Sequence, residues 1–463
     1  MTYFFETYGC EMNIAESASV EQLFISRGWT KAENCQVADL VVINTCSVRA
    51  SAETRIFGRL GFFTGLKKVR LCQQDAKVKS DEMKIAVDFA KENGPKPLTL
   101  VVMGCMAERL LLSLQKDWPC VDYVVGTYAK NNFGSIISAV EDKKNPVQVE
   151  EAPVYSFAET SYEEGAFSTF VPIMHGCNNF CTYCIVPYVR GREVSRPLKE
   201  ILHEIDILSK RGVKEITLLG QNVNSYKGED NLTFPGLLKK ISSYLDEIKS
   251  SIKWIRFESS NPNDFSDELI DVIASDRHLC RGLHIAVQHG SSRVLKRMNR
   301  KYSREEYLAL VNKLKSKVED LSLTTDIMLG FPGESDEDFE EVLSLMKEVK
   351  YQAAFMYYYN PREGTPAAKW EDQIPMEIKK ERLQKVIDTQ LEITKEVLSK
   401  RVGKTVTVLA DIISRDNKDE LLGKTEQNER VAFAAKRNLI GHFVKVKITS
   451  VNGNTLRGQL LED

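Results

Sequence analysis

The 463-residue sequence has no run of 18 or more apolar residues, which predicts that it has no transmembrane helix. Glycine (26) and proline (14) are too few for a collagen-like or linker-like chain. Charge of one sign is also missing, because 63 basic and 65 acidic residues leave a net charge of −2. A globally basic nucleic-acid binder is therefore excluded, whereas a local basic surface is not.

The sequence is not poor in hydrophobic residues, which make up 43% of it. This content excludes intrinsic disorder as the main state of the chain. The first residues, Met1 to Glu6, lack a basic stretch followed by a long apolar one. We therefore expect no secretory signal, a cytoplasmic location and no membrane partner. In that reducing compartment, the ten cysteines are more readily metal ligands, catalytic groups or core residues than disulfides.

The length predicts about three domains. In residues 1–145, short apolar runs at 3–5, 40–43, 100–103 and 123–125 alternate with helical patterns, which predicts a parallel α/β domain. Residues 65–97 are charged and irregular, and we interpret them as an insertion. Residues 146–167 are acidic, contain Pro146, Pro153 and Gly165, and predict a linker.

Residues 168–400 return to strand–helix alternation. Six candidate strands, at 170–174, 216–219, 254–257, 283–287, 321–328 and 354–358, predict a partial (βα)6 barrel or an open parallel sheet, so the fold class is α/β. Residues 401–463 contain short β-type runs at 406–409, 431–433, 443–448 and 455–460, separated by glycines. They predict a small β-barrel, which is locally basic with 11 Lys and Arg against 8 Asp and Glu.

The most specific motif is C-x₃-C-x₂-C at Cys177, Cys181 and Cys184, just after the first strand of the central domain. Three thiolates on one tight loop can hold three irons of a cubane cluster and leave the fourth iron open for a chelating ligand. The alternative is structural zinc, which takes four Cys or His ligands, with His175 as the possible fourth.

A second set of cysteines is dispersed. Cys10, Cys46 and Cys105 each follow a predicted strand of the N-terminal domain, so parallel neighbouring strands would bring them to one edge of the sheet. A glycine precedes two of them, and we expect it to let the backbone approach a bulky cofactor. From the residues alone, a ligand set and ordinary buried cysteines remain equal alternatives.

The first motif, with an aromatic residue before its last cysteine, resembles the radical S-adenosylmethionine (SAM) superfamily. With both cysteine sets, the whole chain resembles the methylthiotransferase family, which joins an N-terminal three-cysteine domain, a radical SAM domain and a C-terminal RNA-binding TRAM domain. The resemblance extends through residues 176–197, 220–226, 326–334, 361–366 and 423–428, and it is strongest to the branch that acts on isopentenyladenosine in tRNA. His289, where serine is commoner, departs from the pattern.

The resemblance implies two [4Fe–4S] clusters and SAM as cofactors. Cys177, Cys181 and Cys184 would hold the radical cluster, and Cys10, Cys46 and Cys105 an auxiliary cluster that carries the sulfur. It further implies that SAM-binding residues lie at strand ends, where plain turn glycines are the alternative. The candidates are Tyr183, Gly220, Gln221, Gln288, Gly330 and Gly333.

The implied reaction replaces C2–H of the prenylated adenine next to the anticodon by C2–SCH₃. An aromatic C–H offers no acid–base route at neutral pH, which favours radical chemistry supplied by a cofactor. The implied partners are tRNA, a reduced flavodoxin or ferredoxin-like electron donor and a sulfur donor. Alternatives are methylthiolation of threonylcarbamoyl adenosine or of a ribosomal-protein aspartate, and a non-enzymatic iron–sulfur or zinc RNA-binding protein.

Overall fold

The structure is a computed structural model that describes residues 1–47, 50–72, 81–143, 148–150, 155–157, 165–415 and 417–461, with the backbone alone at 50–52. Its internal contacts divide the chain into two units. The first comprises Met1–Tyr162, His175–Asn178 and Ile185–Val194, and the second comprises Glu163–Met174, Asn179–Cys184 and Ser195–Asp463. Two short segments of the predicted central domain thus belong to the first unit, because Ile185 and Val189 pack against Cys105.

The first unit is built on a five-stranded parallel sheet with the order β2-β1-β3-β4-β5. The central strand β3 reads LVVINT and is buried along its whole length, as expected for a parallel strand covered on both faces. Val41 and Ile43 point into one apolar cluster, and Leu40 and Val42 into the other. The strands are β1 (Thr2–Thr7), β2 (Thr30–Lys31), β3 (Leu40–Thr45), β4 (Thr99–Gly104) and β5 (Tyr123–Val125).

Helices cover both faces of this sheet. They are α1 (Glu11–Ser26), α2 (Ala50–Arg70), α3 (Asp81–Asn93), α4 (Cys105–Arg109), α5 (Leu114–Asp117), α6 (Phe133–Glu141) and the later α7 (Val186–Val189). The prediction of an irregular insertion over 65–97 is wrong for its described part, since α2 continues to Arg70 and α3 is a regular helix. Met83, Ala86 and Ala90 recur at helical spacing and are buried, whereas the surrounding charges concealed that period. Residues 73–80, with Lys77 and Lys79, lie outside the described residues.

The predicted linker contains a buried anchor. Tyr155 is 6% exposed, and its hydroxyl accepts a hydrogen bond from Lys130 Nζ at 2.5 Å. Residues 144–147, 151–154 and 158–164, which include Pro146 and Pro153, lie outside the described residues. The sequence did not show this anchor because a single aromatic residue in an acidic stretch has no periodicity.

The second unit contains the predicted partial barrel. Two parallel three-stranded sheets, β10-β9-β6 and β11-β12-β13, are linked by single parallel bridges at Ile255–Leu279 and Ser260–Ile285. The strands are β6 (Ser168–Pro172), β9 (Glu215–Leu219), β10 (Trp254–Phe257), β11 (Gly282–His284), β12 (Ser322–Leu329) and β13 (Ala353–Tyr358); β7 (Met174–His175) and β8 (Val194–Ser195) are two-residue strands where the chain passes between the units.

Helices follow the strands of this barrel. They are α8 (Leu198–Lys210), α9 (Phe234–Glu247), α10 (Asp267–Ser275), α11 (Ser292–Arg297), α12 (Arg304–Lys317), α13 (Asp336–Val349) and α14 (Met376–Ser399). Both capping boxes suggested by the sequence form, at Ser303 with Glu306 and at Ser335 with Asp338. Within the described ranges, none of the helices is both long and apolar enough to cross a membrane.

Strand β11 is shorter than predicted. It ends at His284 rather than residue 287, because the following backbone N–H groups bond alternately to two neighbours, Ile285 to Thr324 and Ala286 to Ser260. Gln288 then takes a left-handed φ of +69°, which no regular strand contains. The chain therefore turns at the mouth of the barrel.

The C-terminal region is a closed barrel, as predicted, but it has five strands rather than four, in the order β14-β15-β16-β18-β17. The strand that the sequence did not reveal is β15, because only two adjacent leucines precede its glycine. A Cβ at Gly423 would lie 2.5 Å from the Leu409 carbonyl oxygen, so glycine permits the close pairing. The strands are β14 (Thr405–Ile413), β15 (Glu420–Thr425), β16 (Arg430–Ala434), β17 (Phe443–Asn452) and β18 (Thr455–Leu460).

Candidate functional site

The dispersed cysteines come together at the carboxyl ends of three adjacent strands. Cys10 follows β1 and caps α1, Cys46 follows β3 directly, and Cys105 is the first residue after β4. The pKa of the Cys105 thiol is raised to about 12, chiefly by burial and also by Glu16, Cys46 and Cys10, while Arg190 acts to lower it. The three thiols are therefore close enough to interact electrostatically.

Two asparagines hold these cysteine loops together. Asn13 Nδ2 donates to Asn44 Oδ1 at 2.9 Å and to the Thr45 carbonyl oxygen at 3.1 Å. Asn44 Nδ2 returns a bond of 2.9 Å to the Asn13 carbonyl oxygen. Both side chains are fully buried, so this pairing ties α1 to the end of β3.

The glycines before Cys10 and Cys105 serve this close approach. A Cβ at Gly9 would lie 2.3 Å from Asn13 Oδ1, and one at Gly104 would lie 2.5 Å from Asn44 Oδ1. The space where a side chain would stand is therefore taken by the asparagine pair, and the expected approach of a cofactor to this backbone stays a prediction. What they provide is tight packing between the cysteine-bearing loops.

A buried charge cluster of Glu16, Lys130 and Arg190 adjoins Cys105. Arg190 Nη1 and Nη2 donate to the two Glu16 carboxylate oxygens at 2.8 and 3.0 Å, and Arg190 Nε lies 3.2 Å from Cys105 Sγ. Burial alone would raise the pKa of the Glu16 carboxyl, but Arg190 and Lys130 hold it below its usual value. Glu16 is thus the carboxylate partner of Arg190.

His175, the possible zinc ligand, lies beside this cluster. Its ring stacks on Tyr155 with centroids 3.5 Å apart, and burial lowers its pKa well below the usual value. Arginine only donates, so the contact of 3.3 Å from Arg190 Nη1 makes His175 Nδ1 an acceptor and assigns the proton to Nε2. That Nε2 has no hydrogen-bond partner among the described residues.

The C-x₃-C-x₂-C segment is divided between the units. Cys177 belongs to the first unit, where its N–H donates to the Gly191 carbonyl oxygen at 3.2 Å. The preceding Gly176 has a φ of +80°, and the Arg192 backbone leaves no room there for a Cβ. Cys181 and Cys184 belong to the second unit, where the Cys184 N–H donates to the Cys181 carbonyl oxygen at 2.9 Å. Arg300 Nη1 lies 3.5 Å from Cys181 Sγ.

The predicted SAM-contact residues all lie in the second unit, at or beyond the ends of strands. Tyr183 packs edge-on against Phe331, and burial raises its pKa well above the usual value. Gln221 follows Gly220 at the end of β9, and Gln288 Oε1 accepts a bond of 3.0 Å from the Tyr357 hydroxyl. Gly330 and Gly333 follow β12, both with left-handed φ.

Those two glycines have packing reasons of their own. A Cβ at Gly330 would lie 2.3 Å from Lys379 Cγ on α14, and one at Gly333 would lie 2.4 Å from Asp372 Oδ2. The loop between them is also tied down by Glu334, which accepts from Arg382 at 2.6 Å and contacts His289 Nε2 at 3.2 Å. His289, the residue that departs from the family pattern, therefore supports this loop.

Polar side chains that the sequence reasoning did not single out lie near the ends of β9 and β10. Asn222 Oδ1, both amide atoms of Asn224 and Ser260 Oγ are buried and have no partner within the described part of the chain. Buried polar atoms without partners are rare and mark places where a polar ligand can bind. They fit a ligand with amino and carboxylate groups, such as SAM.

The described residues contain no group of three His, Cys, Asp or Glu side chains placed to hold a single metal ion. The ligands of a four-iron cluster surround a larger body and need not converge on one point. None of the ten cysteines, all of which are described, forms a disulfide, and both trios therefore retain their thiols.

Three family models match the chain. The radical SAM superfamily matches residues 171–346, a family described as uncharacterized protein family UPF0004 matches 2–126, and the TRAM domain matches 399–461. Among solved structures, a radical S-adenosylmethionine methyltransferase from Kitasatospora setae superposes with a TM-score of 0.55 at 13% identity, covering 79% of this chain and 77% of that one. At that identity the likeness supports the fold alone.

Relatives of known name align over the full length. The tRNA-2-methylthio-N(6)-dimethylallyladenosine synthase of Treponema pallidum is 51% identical over 100% of this chain and 99% of its own. The enzyme of the same name from Treponema denticola is 48% identical over 99% of this chain and 100% of its own. With matches of this extent, the chain belongs to the radical SAM methylthiotransferase family, in the group of the tRNA-2-methylthio-N(6)-dimethylallyladenosine synthases.

Proposed function

We propose that the protein adds a methylthio group to C2 of N6-dimethylallyladenosine next to the anticodon of tRNA. The observation that carries this proposal is the 51% identity to a synthase of that name along the whole chain. The cysteine trio at the ends of β1, β3 and β4 and the C-x₃-C-x₂-C segment provide the ligands that such chemistry needs. We also propose a cytoplasmic location for the enzyme, because its proposed substrate is a tRNA.

The proposal includes two [4Fe–4S] clusters. Cys177, Cys181 and Cys184 would hold the radical cluster, which with SAM supplies the radical that removes the C2 hydrogen. Cys10, Cys46 and Cys105 would hold the auxiliary cluster, where the sulfur to be transferred resides. Thiolate donors alone make up both sets, and soft thiolates are the ligands that iron–sulfur clusters select.

The chain's own residues would orient SAM at the mouth of the partial barrel. Asn222, Asn224 and Ser260 have buried polar atoms that still need partners, and they lie at the carboxyl ends of parallel strands, where this class of fold binds ligands. The expected SAM-contact residues also lie at or beyond ends of strands in the second unit, and they are Tyr183, Gly220, Gln221, Gln288, Gly330 and Gly333. Burial at this position keeps water from competing for those groups.

Exposed aromatic side chains on one face of the β11-β12-β13 sheet favour a prenylated substrate. Phe355 is 60% exposed although it lies on a strand, and Tyr357 on the same face is 36% exposed. The ring of Phe355 contacts that of His284 at 5.7 Å. Burying a five-carbon chain on such a face contributes roughly 3–4 kcal/mol to the free energy of substrate binding, at ~0.8 kcal/mol per carbon. The carboxylate of a threonylcarbamoyl group would instead lose its hydration there without gaining a partner.

The RNA would also contact the C-terminal barrel. Basic residues at exposed positions of this barrel include Lys404, Lys418, Lys424, Lys445 and Lys447. Lysine contacts to phosphate supply affinity and carry no sequence information. A reduced flavodoxin or ferredoxin-like protein would supply electrons, and a separate sulfur donor would replenish the auxiliary cluster.

The test compares turnover on three forms of one tRNA, carrying dimethylallyladenosine, unmodified adenosine or threonylcarbamoyl adenosine. We expect kcat/KM for the prenylated form to be roughly 100- to 1000-fold higher than for the other two. This is the factor that follows from burying five carbons at ~0.8 kcal/mol each. Product nucleosides are identified by mass spectrometry. Equal rates on all three, or a preference for the threonylcarbamoyl form, contradict the proposal.

A further inference from the structure

We propose that Arg190, positioned by Glu16, raises the reduction potential of the auxiliary cluster through its contact with Cys105. The inference rests on the auxiliary cluster of the proposed function and adds two residues to it. Arg190 lies 85 residues from Cys105 in the sequence, and only the fold brings the two side chains together. It acts through a ligand and is therefore a positioning residue.

The hydrogen bonds of Arg190 to Glu16 orient its Nε donor toward sulfur. Its two terminal nitrogens are engaged by the Glu16 carboxylate at 2.8 and 3.0 Å, which fixes the plane of the guanidinium. Nη1 also contacts His175 Nδ1 at 3.3 Å, and the single N–H on Nε is directed to Cys105 Sγ at 3.2 Å. Arg190, Glu16 and Cys105 are 2%, 4% and 3% exposed, so no water competes for this contact.

The charges of the cluster leave an uncompensated positive charge beside the thiolate. Glu16 contributes −1, Arg190 contributes +1, and Lys130 contributes +1 with its Nζ 3.8 Å from Glu16 Oε1. The three groups therefore sum to +1, which complements the negative charge of Cys105 once it binds iron. Arginine does not deprotonate in proteins, so the charge persists at every working pH.

Net charge and hydrogen bonds to sulfur are two of the factors that set the potential of an iron–sulfur cluster. Reduction adds one electron to the cluster, supplied in the experiment by dithionite, and breaks no bond and moves no proton. A fixed positive charge and an N–H donor favour the more negative, reduced state. Their effect is large here because the surroundings are buried and of low dielectric constant.

Cys181 also has an arginine beside its sulfur, which allows a comparison with Arg190 and Cys105. Arg300 Nη1 lies 3.5 Å from Cys181 Sγ, and the Arg300 guanidinium is held by the Ala286 carbonyl oxygen at 2.7 Å rather than by a carboxylate. A substitution of Arg190 should therefore leave the radical cluster unaffected, and one of Arg300 should leave the auxiliary cluster unaffected.

The experiment uses anaerobically reconstituted full-length protein and an electron paramagnetic resonance redox titration. The auxiliary cluster is titrated alone in a C177A/C181A/C184A background, and the radical cluster alone in a C10A/C46A/C105A background. In the first background we expect R190Q to lower the midpoint potential, R190K to restore part of the loss, and E16Q to raise it. R300Q is the matched control, and it should shift the potential only in the second background.

The opposite signs of R190Q and E16Q distinguish electrostatics from structural damage. Unchanged potentials, or shifts of both variants in the same direction, overturn the proposal. If R190Q loads no iron, E16Q decides alone, since a raised potential supports the proposal and an unchanged one overturns it. Iron analysis of the C177A/C181A/C184A protein, with Arg190 and Glu16 unchanged, tests the auxiliary cluster itself. If this protein binds no iron, the auxiliary cluster of the proposed function is contradicted, and the role of Arg190 is a separate question.

Discussion

At the scale of single residues, the six clustered cysteines differ from the other four in their surroundings. Cys10, Cys46 and Cys105 meet at one sheet edge, and Cys177, Cys181 and Cys184 share one segment. Cys280, by contrast, packs between Trp254 and Leu409, where burial raises the pKa of its thiol to about 12. Cys72 is exposed on the turn after α2.

The iron content tests this division. Wild-type protein reconstituted without oxygen should hold about eight irons, four per cluster. Replacing Cys177, Cys181 and Cys184 by alanine should halve the iron and abolish SAM cleavage, whereas replacing Cys10, Cys46 and Cys105 should halve the iron and leave unproductive cleavage. Cys72→Ser is the control and should keep all the iron. Zinc without iron in the wild-type protein would refute both sites.

The buried Glu334 carries the second prediction at this scale. It is 3% exposed and binds Arg382, which is 6% exposed. Glu334→Gln leaves the Arg382 charge without its buried partner, and breaking such a pair costs roughly 3–5 kcal/mol. We expect a clearly lower melting temperature and weaker SAM binding, because the loop from Gly330 loses its support. Glu340→Gln, at an exposed position of α13, should change neither quantity.

At the scale of elements, the start of α13 links stability to pH. Burial alone would raise the pKa of Asp338, but hydrogen bonds from Arg293, Ser291 and Ser335 hold it well below its usual value. A carboxyl group whose pKa falls on folding stabilises the fold above its unfolded pKa of about 3.9, and this contribution is lost as the pH falls below that value.

Asp338→Asn should therefore lower the melting temperature at pH 7, and the difference from the wild type should shrink below about pH 4. Ser335→Ala removes the cap of the same helix and should cost about 1 kcal/mol at both pH values. Melting curves recorded by circular dichroism across this pH range provide the measurement. A constant difference between Asp338→Asn and the wild type would show that the carboxylate contributes by packing alone.

At the scale of the whole molecule, the C-terminal barrel is joined to the rest of the second unit by buried polar contacts. Arg256 donates to the carbonyl oxygens of Thr425 and Glu426, each at 2.8 Å, and Arg401 binds both Asp320 and Glu429. Leu398, at the end of α14, packs in the barrel core. Removing the barrel would therefore damage its neighbours, and surface substitutions are a cleaner test of RNA binding.

Lys445 and Lys447 lie two residues apart on β17, are exposed and project from the same face. The variant K445Q/K447Q should weaken tRNA binding and reduce the slope of log K against log salt by about one for each lost phosphate contact. The control K313Q/K317Q removes two surface lysines of α12, the half-buried Lys313 and the exposed Lys317, which pair with Asp267 and Asp271. Equal slopes for both variants and the wild type, measured by filter binding, would exclude this face from the RNA contact.

Several features could be predicted from the sequence because they are encoded in contiguous residues. Strand–helix alternation indicated the parallel sheets, and strands such as Trp254–Phe257 and Thr455–Leu460 have the bounds expected. The C-x₃-C-x₂-C motif and the aromatic residue beside its last cysteine determined the cofactor class, since one short loop must supply three ligands. Burial on both faces made β3 apolar throughout and therefore easy to recognise.

Tertiary structure alone decided what surrounds Cys105 at the edge of the first sheet. Arg190 and Glu16 are 174 residues apart, and Tyr155 comes from a stretch with the composition of a linker. The helix over 81–93 and the strand over 420–425 were hidden because charges and a glycine interrupted their apolar periods. A buried ion pair needs only two side chains that meet in space, and local patterns contain no information about such meetings. The sequence thus determined the radical SAM class of the protein, and the fold determined which charges lie beside Cys105.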